Sequence, residues 1–177
     1  NVYFTDLHYP YQGYDDRVRK IDPTGIVTTI AGCLCDWRGP LLHGGLGTQT
    51  RLDAASAIVP APDGSIYVAG WIHSMAIQRI SPDGRIWPVA GGHGFAQYLG
   101  GRCGDGGLAQ SSNTCFAPIT AMARQADGSL LLVDQLYYDG QRQAVNNRIR
   151  RIATPLPSFS TSEYVVASPD GTEMFAF

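Results

Sequence analysis

Residues Pro62–Trp71 read PDGSIYVAGW, and Ala126–Gln135 read ADGSLLLVDQ. In both, an Asp-Gly pair is followed by a serine and then by an apolar run. Gly64 and Gly128 lie 64 residues apart, and Tyr3 and Tyr67 have the same separation. NVYFTDLHY at Asn1–Tyr9 lines up with the same apolar core, and PDGTEMFAF at Pro169–Phe177 gives a further copy. The chain therefore repeats a unit, and the unit decides the fold.

Two more motifs follow the first in order. DRVRKIDPTG (Asp16–Gly25), AIQRISPDG (Ala76–Gly84) and NRIRRIA (Asn147–Ala153) form one series. IVTTIAG ending at Gly32 and RIWPVAG ending at Gly91 form another. Long glycine-rich stretches, Cys33–Thr50 and Gly92–Cys115, then lead to the next apolar segment. In the second unit the alternation predicts strands over 56–62, 65–71, 76–82 and 85–90. The joints are turn signals, because glycine reaches positive φ without steric cost. They fall at Asp63–Gly64, Asp83–Gly84, Asp127–Gly128 and Asp170–Gly171, with Asp105–Gly106 inside a connector.

Four short antiparallel strands, repeated at intervals of tens of residues, predict an all-β protein built as a β-propeller. No sustained 3.6-residue apolar period argues for helices. The expected layout is a partial blade over 1–50, a complete one over 51–115 and a third over 116–153. Residues 154–177 begin a further blade or form an exit hairpin toward a following domain. That makes about three blades.

Composition agrees. The 177 residues suffice for one domain; 44% are hydrophobic and only 16% charged, with 21 Gly and 11 Pro. Such a chain suits short strands and tight turns. The net charge is −2, and Lys20 is the only lysine among 13 basic residues. The densest basic cluster is Arg148, Arg150 and Arg151, with no aromatic platform beside it, so no nucleic acid partner is expected. No apolar run approaches the roughly 20 residues of a membrane span. The chain opens directly on a strand-like segment with no visible signal peptide, and it closes on MFAF. Both ends read as cut from something longer, so Val2, Phe4, Phe175 and Phe177 are expected on exposed end faces, where copies of the chain could self-associate.

RVRKIDPTGIVTTIAG (Arg17–Gly32) resembles the NHL repeat, and GDGGLAQ (Gly104–Gln110) resembles the stretch that follows that segment in many such repeats. After RIRRIATPLP the expected fourth strand is missing and SEYVVASPDGTEMFAF comes at once. That tail resembles the exit from an NHL propeller in teneurin-like and Rhs-type YD-repeat proteins. The resemblance implies that the three blades are part of a six-bladed ring, and that the chain is a non-enzymatic binding or scaffold module of an exported protein, secreted or at the cell surface. Its implied partners are a protein or glycan ligand and the rest of its own longer chain. Two other readings stay open: a propeller enzyme of the metal-dependent lyase or lactonase kind, and an intracellular NHL module that binds protein or RNA.

The stretch GGRCGDGGLAQSSNTC (Gly100–Cys115) could be taken for a phosphate cradle. A P-loop needs Lys and Ser or Thr after its glycines, opening a helix. Here no lysine follows, so the stretch reads as a turn with Asp105 capping backbone N–H groups. No cofactor is expected.

Cys33, Cys35, Cys103 and Cys115 all lie in the connectors. Four cysteines in surface loops argue for disulfides and an oxidising compartment. They allow three pairings. Cys103–Cys115 is favoured because it closes one loop, with Cys33 and Cys35 an adjacent pair or free, and cross-loop pairing as the alternative. Zinc is disfavoured, since its ligands prefer C-x2–4-C spacing. His8, His43, His73 and His93 read as surface or loop residues, and the inner strands SAIVPAP and ITAMARQ carry no His, Asp or Glu. Asp6 and Asp134 share one position of the repeat, held by Gly70 in the middle copy, and read as structural.

Overall fold

The computed structural model describes residues 1–6, 16–33, 43–52, 55–70, 76–91, 107–110, 114, 116–137, 144–153, 165–167 and 174–176. The strands are β1 (Val2–Asp6), β2 (Arg17–Ile21), β3 (Val27–Ala31), β4 (Ala55–Pro60), β5 (Ile66–Gly70) and β6 (Ala76–Ile80). They continue with β7 (Ile86–Gly91), β8 (Ile119–Arg124), β9 (Leu130–Tyr137), β10 (Ala144–Ile152), β11 (Val165–Ala167) and β12 (Met174–Ala176). Among the described residues the only helical element is a single 3-10 turn, Gly47–Gln49.

The protein is all-β, built from repeated antiparallel sheets. Their orders are β1-β2-β3, β4-β5-β6-β7, β8-β9-β10 and β11-β12. The second unit has the four strands that its alternation predicts, though two of them end early. Ala61 donates to the Ser65 carbonyl (2.8 Å) and Gly64 to the Ala61 carbonyl (3.0 Å), so the turn takes residues that alternation alone assigns to the strand. Ser81 and Gly84 close the next turn in the same way, at 2.8 Å each. Gly64, Gly84 and Gly128 sit at these turns with φ of 84°, 81° and 87°, a region a side chain rarely adopts.

The middle sheet is apolar on both faces because it is covered on both. Ile66, Val68, Ile80 and Ile86 pack with Val18 and Ala31 of the first sheet. Ala69, Ile77 and Ala90, pointing the other way, pack with Phe116, Ile119, Leu130 and Leu132 of the third unit. Each large side chain buried in this way contributes about 1.5–3 kcal/mol relative to exposure. β4 lies between the neighbouring sheets, against β1 on one side and β8 on the other. Ser56 ties two units together directly, its hydroxyl donating to the Ile119 carbonyl at 2.6 Å. Val2 is exposed and Phe4 half-buried, while Phe177 lies outside the described residues.

The two glycine-rich connectors share one design. Gly32 at the end of the first sheet donates to the Gly47 carbonyl (2.9 Å), and Gly91 donates to the Ala109 carbonyl (3.0 Å). The Thr50 hydroxyl donates to the Leu46 carbonyl at 3.0 Å. Thr114 repeats this on Leu108 at 2.7 Å. The first connector also covers the outer edge of β7, through Gly44 N–H to the Ile86 carbonyl (2.7 Å) and Ile86 N–H to the Gly45 carbonyl (3.0 Å). Covering an edge strand removes its unpaired backbone groups from solvent.

Candidate functional site

Two clusters of charged side chains recur in the repeat. The first is a clasp on the Asp-Gly-Ser turn. The Ser65 N–H donates to Asp63 Oδ1 (2.9 Å), an Asx-type closure of the turn. From the adjacent strand β6, Arg79 Nε donates to the Ser65 hydroxyl (2.9 Å). Its Nη2 reaches Asp63 Oδ2, also at 2.9 Å. In the third unit Ser129 N–H donates to Asp127 Oδ1 (2.9 Å). Arg151 Nε reaches the Ser129 hydroxyl at 3.1 Å. Arg151 also pairs with Asp127 itself. Asp83 holds the other kind of turn, accepting from the Ser81 hydroxyl (2.5 Å) and the Arg85 N–H (3.2 Å). Asp22 does the same in the first unit, accepting from Thr24 and Ile26 N–H at 2.9 and 3.0 Å.

These bonds favour the ionised carboxylates. Asp63 is held below its usual value of 3.8, first by the Ser65 N–H and further by the Ser65 hydroxyl and Arg79. Asp127 is lowered chiefly by the Ser129 hydroxyl, and Asp83 chiefly by the Ser81 hydroxyl. The Thr24 hydroxyl is the main cause of the lowering at Asp22. A depressed folded pKa gives stability that is present above the unfolded value and is lost as pH falls through the folded one. Thermal scans are therefore expected to show no pH dependence from these turns near neutrality. The melting temperature should fall once the pH drops below 3.8, and Asp63→Asn should flatten part of that acid slope. An unchanged slope in the Asn variant would remove Asp63 from this role.

The second cluster is buried. Asp134 near the middle of β9 is fully inaccessible, and three donors converge on it. The Ala117 N–H donates to Oδ1 at 2.8 Å. Arg148 Nη2 and Arg150 Nη1, both from β10, reach Oδ2 at 2.7 and 3.3 Å. The Arg150 guanidinium also lies over the Phe116 ring, 4.7 Å from its centre. The cluster therefore fastens the connector that enters β8 to the far strand of the same sheet. In the first sheet Asp6 and Arg19 Nε form the matching pair at 2.8 Å. The middle unit has Gly70, Ala76 and Gln78 at the positions of Asp134, Arg148 and Arg150, and Leu52 at that of Phe116. The residues change together, as members of one contact.

The repeat alone aligns Asp6 with Asp134 but does not reveal their arginine partners, nor those of the turns. A signal for the partners of Asp6 and Asp134 exists in two of the copies, where Arg17 and Arg19, and Arg148 and Arg150, alternate along the second motif. Asp105, Gly106, Asp170, Gly171, Cys35, Cys103 and Cys115 lie outside the described residues. Cys33 comes two residues after the end of β3, is half-buried and is not a free thiol. Among the described residues no group of His, Cys, Asp or Glu could hold a metal ion, and no helix is long and apolar enough to cross a membrane.

No protein-family model and no curated protein matches the chain.

Proposed function

We propose that the chain is a non-enzymatic binding or scaffold segment of an NHL-type β-propeller. In this reading it belongs to a larger exported YD-repeat protein of the teneurin-like or Rhs type, and it contacts a protein or glycan ligand. The observation that carries the reading is the repeated use of the charged side chains. Asp63, Asp83 and Asp127 hold hairpin turns, and Asp134 fastens a connector to its sheet, so these carboxylates serve the scaffold. Fold alone does not confer function, and these sites are architectural. The cysteines support export: Cys33 is not a free thiol, and paired cysteines belong to oxidising compartments.

Metal analysis of the purified protein tests the non-enzymatic part. Substoichiometric metal is expected; one zinc or calcium ion per chain, lost on mutating a histidine, would favour the lyase or lactonase reading. Mass spectrometry without reductant is expected to find Cys103 and Cys115 joined. Four free thiols would favour an intracellular module instead. The YD-repeat assignment falls if the coding sequence downstream holds no tyrosine-aspartate repeats.

A further inference from the structure

Among the exposed large apolar side chains of the described residues, Trp87 on β7 is the only aromatic one, at 46%. Its exposure belongs to the repeat and not to a missing neighbour. Thr28 holds the same position on β3, pairing with Lys20 as Trp87 pairs with Arg79. Thr28 is exposed as well, although its sheet is packed against the four-stranded middle sheet. The start of the outermost strand therefore faces solvent in both units, and the middle unit places an indole there.

The indole rests on the first connector. A Cβ built at Gly44 would lie 3.1 Å from Trp87 Cη2 and 3.2 Å from Cζ3, so glycine leaves the room that the ring uses. Gly44 is itself fixed to β7, its N–H donating to the Ile86 carbonyl at 2.7 Å. Arg85 Nη1 donates to the Gly44 carbonyl at 2.6 Å. The ring is thus seated before any ligand arrives, and little side-chain freedom is lost on binding. Alternation puts Arg85 on the same face as Trp87, and Arg79 stands opposite Trp87 on β6. Arg79 is matched by Asp63 and Arg85 by Asp83, so the surface around the indole carries no net charge. Asp83 and Arg85 are both exposed, and Asp83 Oδ2 lies 3.6 Å from Arg85 Nε. That separation is too long for a hydrogen bond and leaves both groups able to take a further partner.

We propose that this surface is a carbohydrate-binding site. Trp87 stacks on the C–H face of a neutral pyranose ring, and Asp83 and Arg85 hydrogen-bond its hydroxyls. The negative face of the indole attracts the weakly positive C–H groups of the sugar. A hydroxyl both donates and accepts, so it bridges a carboxylate and a guanidinium that stand side by side. The balanced charge suits a neutral sugar rather than an anionic one. The exposed apolar side chains here are Trp87 and Leu46, which pairs with Arg85 across the edge. A standard protein interface uses roughly 20–30 residues a side, so a glycan fits this surface better than a protein. The site rests on the proposed function and commits its ligand to a glycan, whereas the scaffold role does not depend on it.

Binding of the 177-residue chain to immobilised oligosaccharides tests it, with neutral hexose and N-acetylhexosamine oligomers beside sialylated and sulfated ones. Wild-type protein should bind neutral members of the set. Trp87→Ala alters an exposed side chain, so it is expected to keep the cooperative melt. It should weaken neutral-glycan binding by about tenfold or more, with Trp87→Phe between the two. Should Trp87→Ala lose its melt, Trp87→Phe serves in its place through tryptophan emission. A saturating neutral oligosaccharide should shift the emission of the wild type but not that of Trp87→Phe, although Trp37 and Trp71 remain. A wild type that binds only anionic glycans, or no oligosaccharide but a protein through Trp87, would overturn the site. So would a Trp87→Ala variant that binds neutral glycans like wild type. In that last case the glycan reading of the whole chain survives at another surface, so the two failures are told apart.

Discussion

Asp134→Ala is expected to destabilise the protein by about 3–5 kcal/mol, the usual cost of breaking a buried ion pair from one side. The variant would remove the acceptor shared by Arg148, Arg150 and the Ala117 N–H. Arg150 is the most affected, since its side chain is only 9% exposed and cannot readily turn to water. In a chain of this size such a loss lowers the melting temperature by roughly 10 °C. Urea unfolding followed by circular dichroism measures it. Asp134→Asn keeps an acceptor for the Ala117 N–H but removes the charge, so it separates the two parts of the effect. If the charge dominates, Asn should be nearly as damaging as Ala. Replacing Asp134, Arg148 and Arg150 together by the Gly, Ala and Gln of the middle unit should recover part of the loss, because no buried charge is then left alone. A cost below about 1 kcal/mol for Asp134→Ala would mean that the guanidinium groups find other partners or water.

Legibility in the sequence differs from element to element. The repeat, the hairpin joints and the four strands of the second unit come from local chemistry: apolar alternation, and glycine at positions that need positive φ. Alternation overruns the strand ends at Pro60 and Ile80, because the turns use backbone groups on both sides of the Asp-Gly pair. The basic run NNRIRRIA reads as one cluster along the chain. In the sheet it splits, with Arg148 and Arg150 turned to Asp134 and Arg151 turned to Asp127. A period-two strand separates neighbours onto opposite faces, and the partner of each arginine is decided by which strand lies beside it. Burial is the least legible property. Val18, Ile77 and Ile149 carry the same sequence signal, yet the first two are buried against a neighbouring sheet and the third is exposed.

Gly32→Ala is expected to cost about 3 kcal/mol or more, for two reasons that add. Gly32 has φ of 93°, a conformation that disfavours any residue with a Cβ. A Cβ built there would also lie 2.1 Å from the Asp16 carbonyl oxygen and 2.9 Å from Arg17 Cα. Both are backbone atoms at the entry of β2, so no side-chain rotation relieves the overlap. The backbone itself must shift, and with it the Gly32 N–H bond to Gly47 that seats the connector between the first two sheets. Gly25→Ala supplies the control. Gly25 has a similar φ of 89° but nothing within 4 Å of an added methyl group, so its variant bears only the conformational cost of about 1–2 kcal/mol. The difference between the two variants in chemical denaturation therefore isolates the close approach of the chain at Gly32. Equal losses would show that the connector yields freely, and that the first two sheets are held by their apolar faces rather than by this backbone contact.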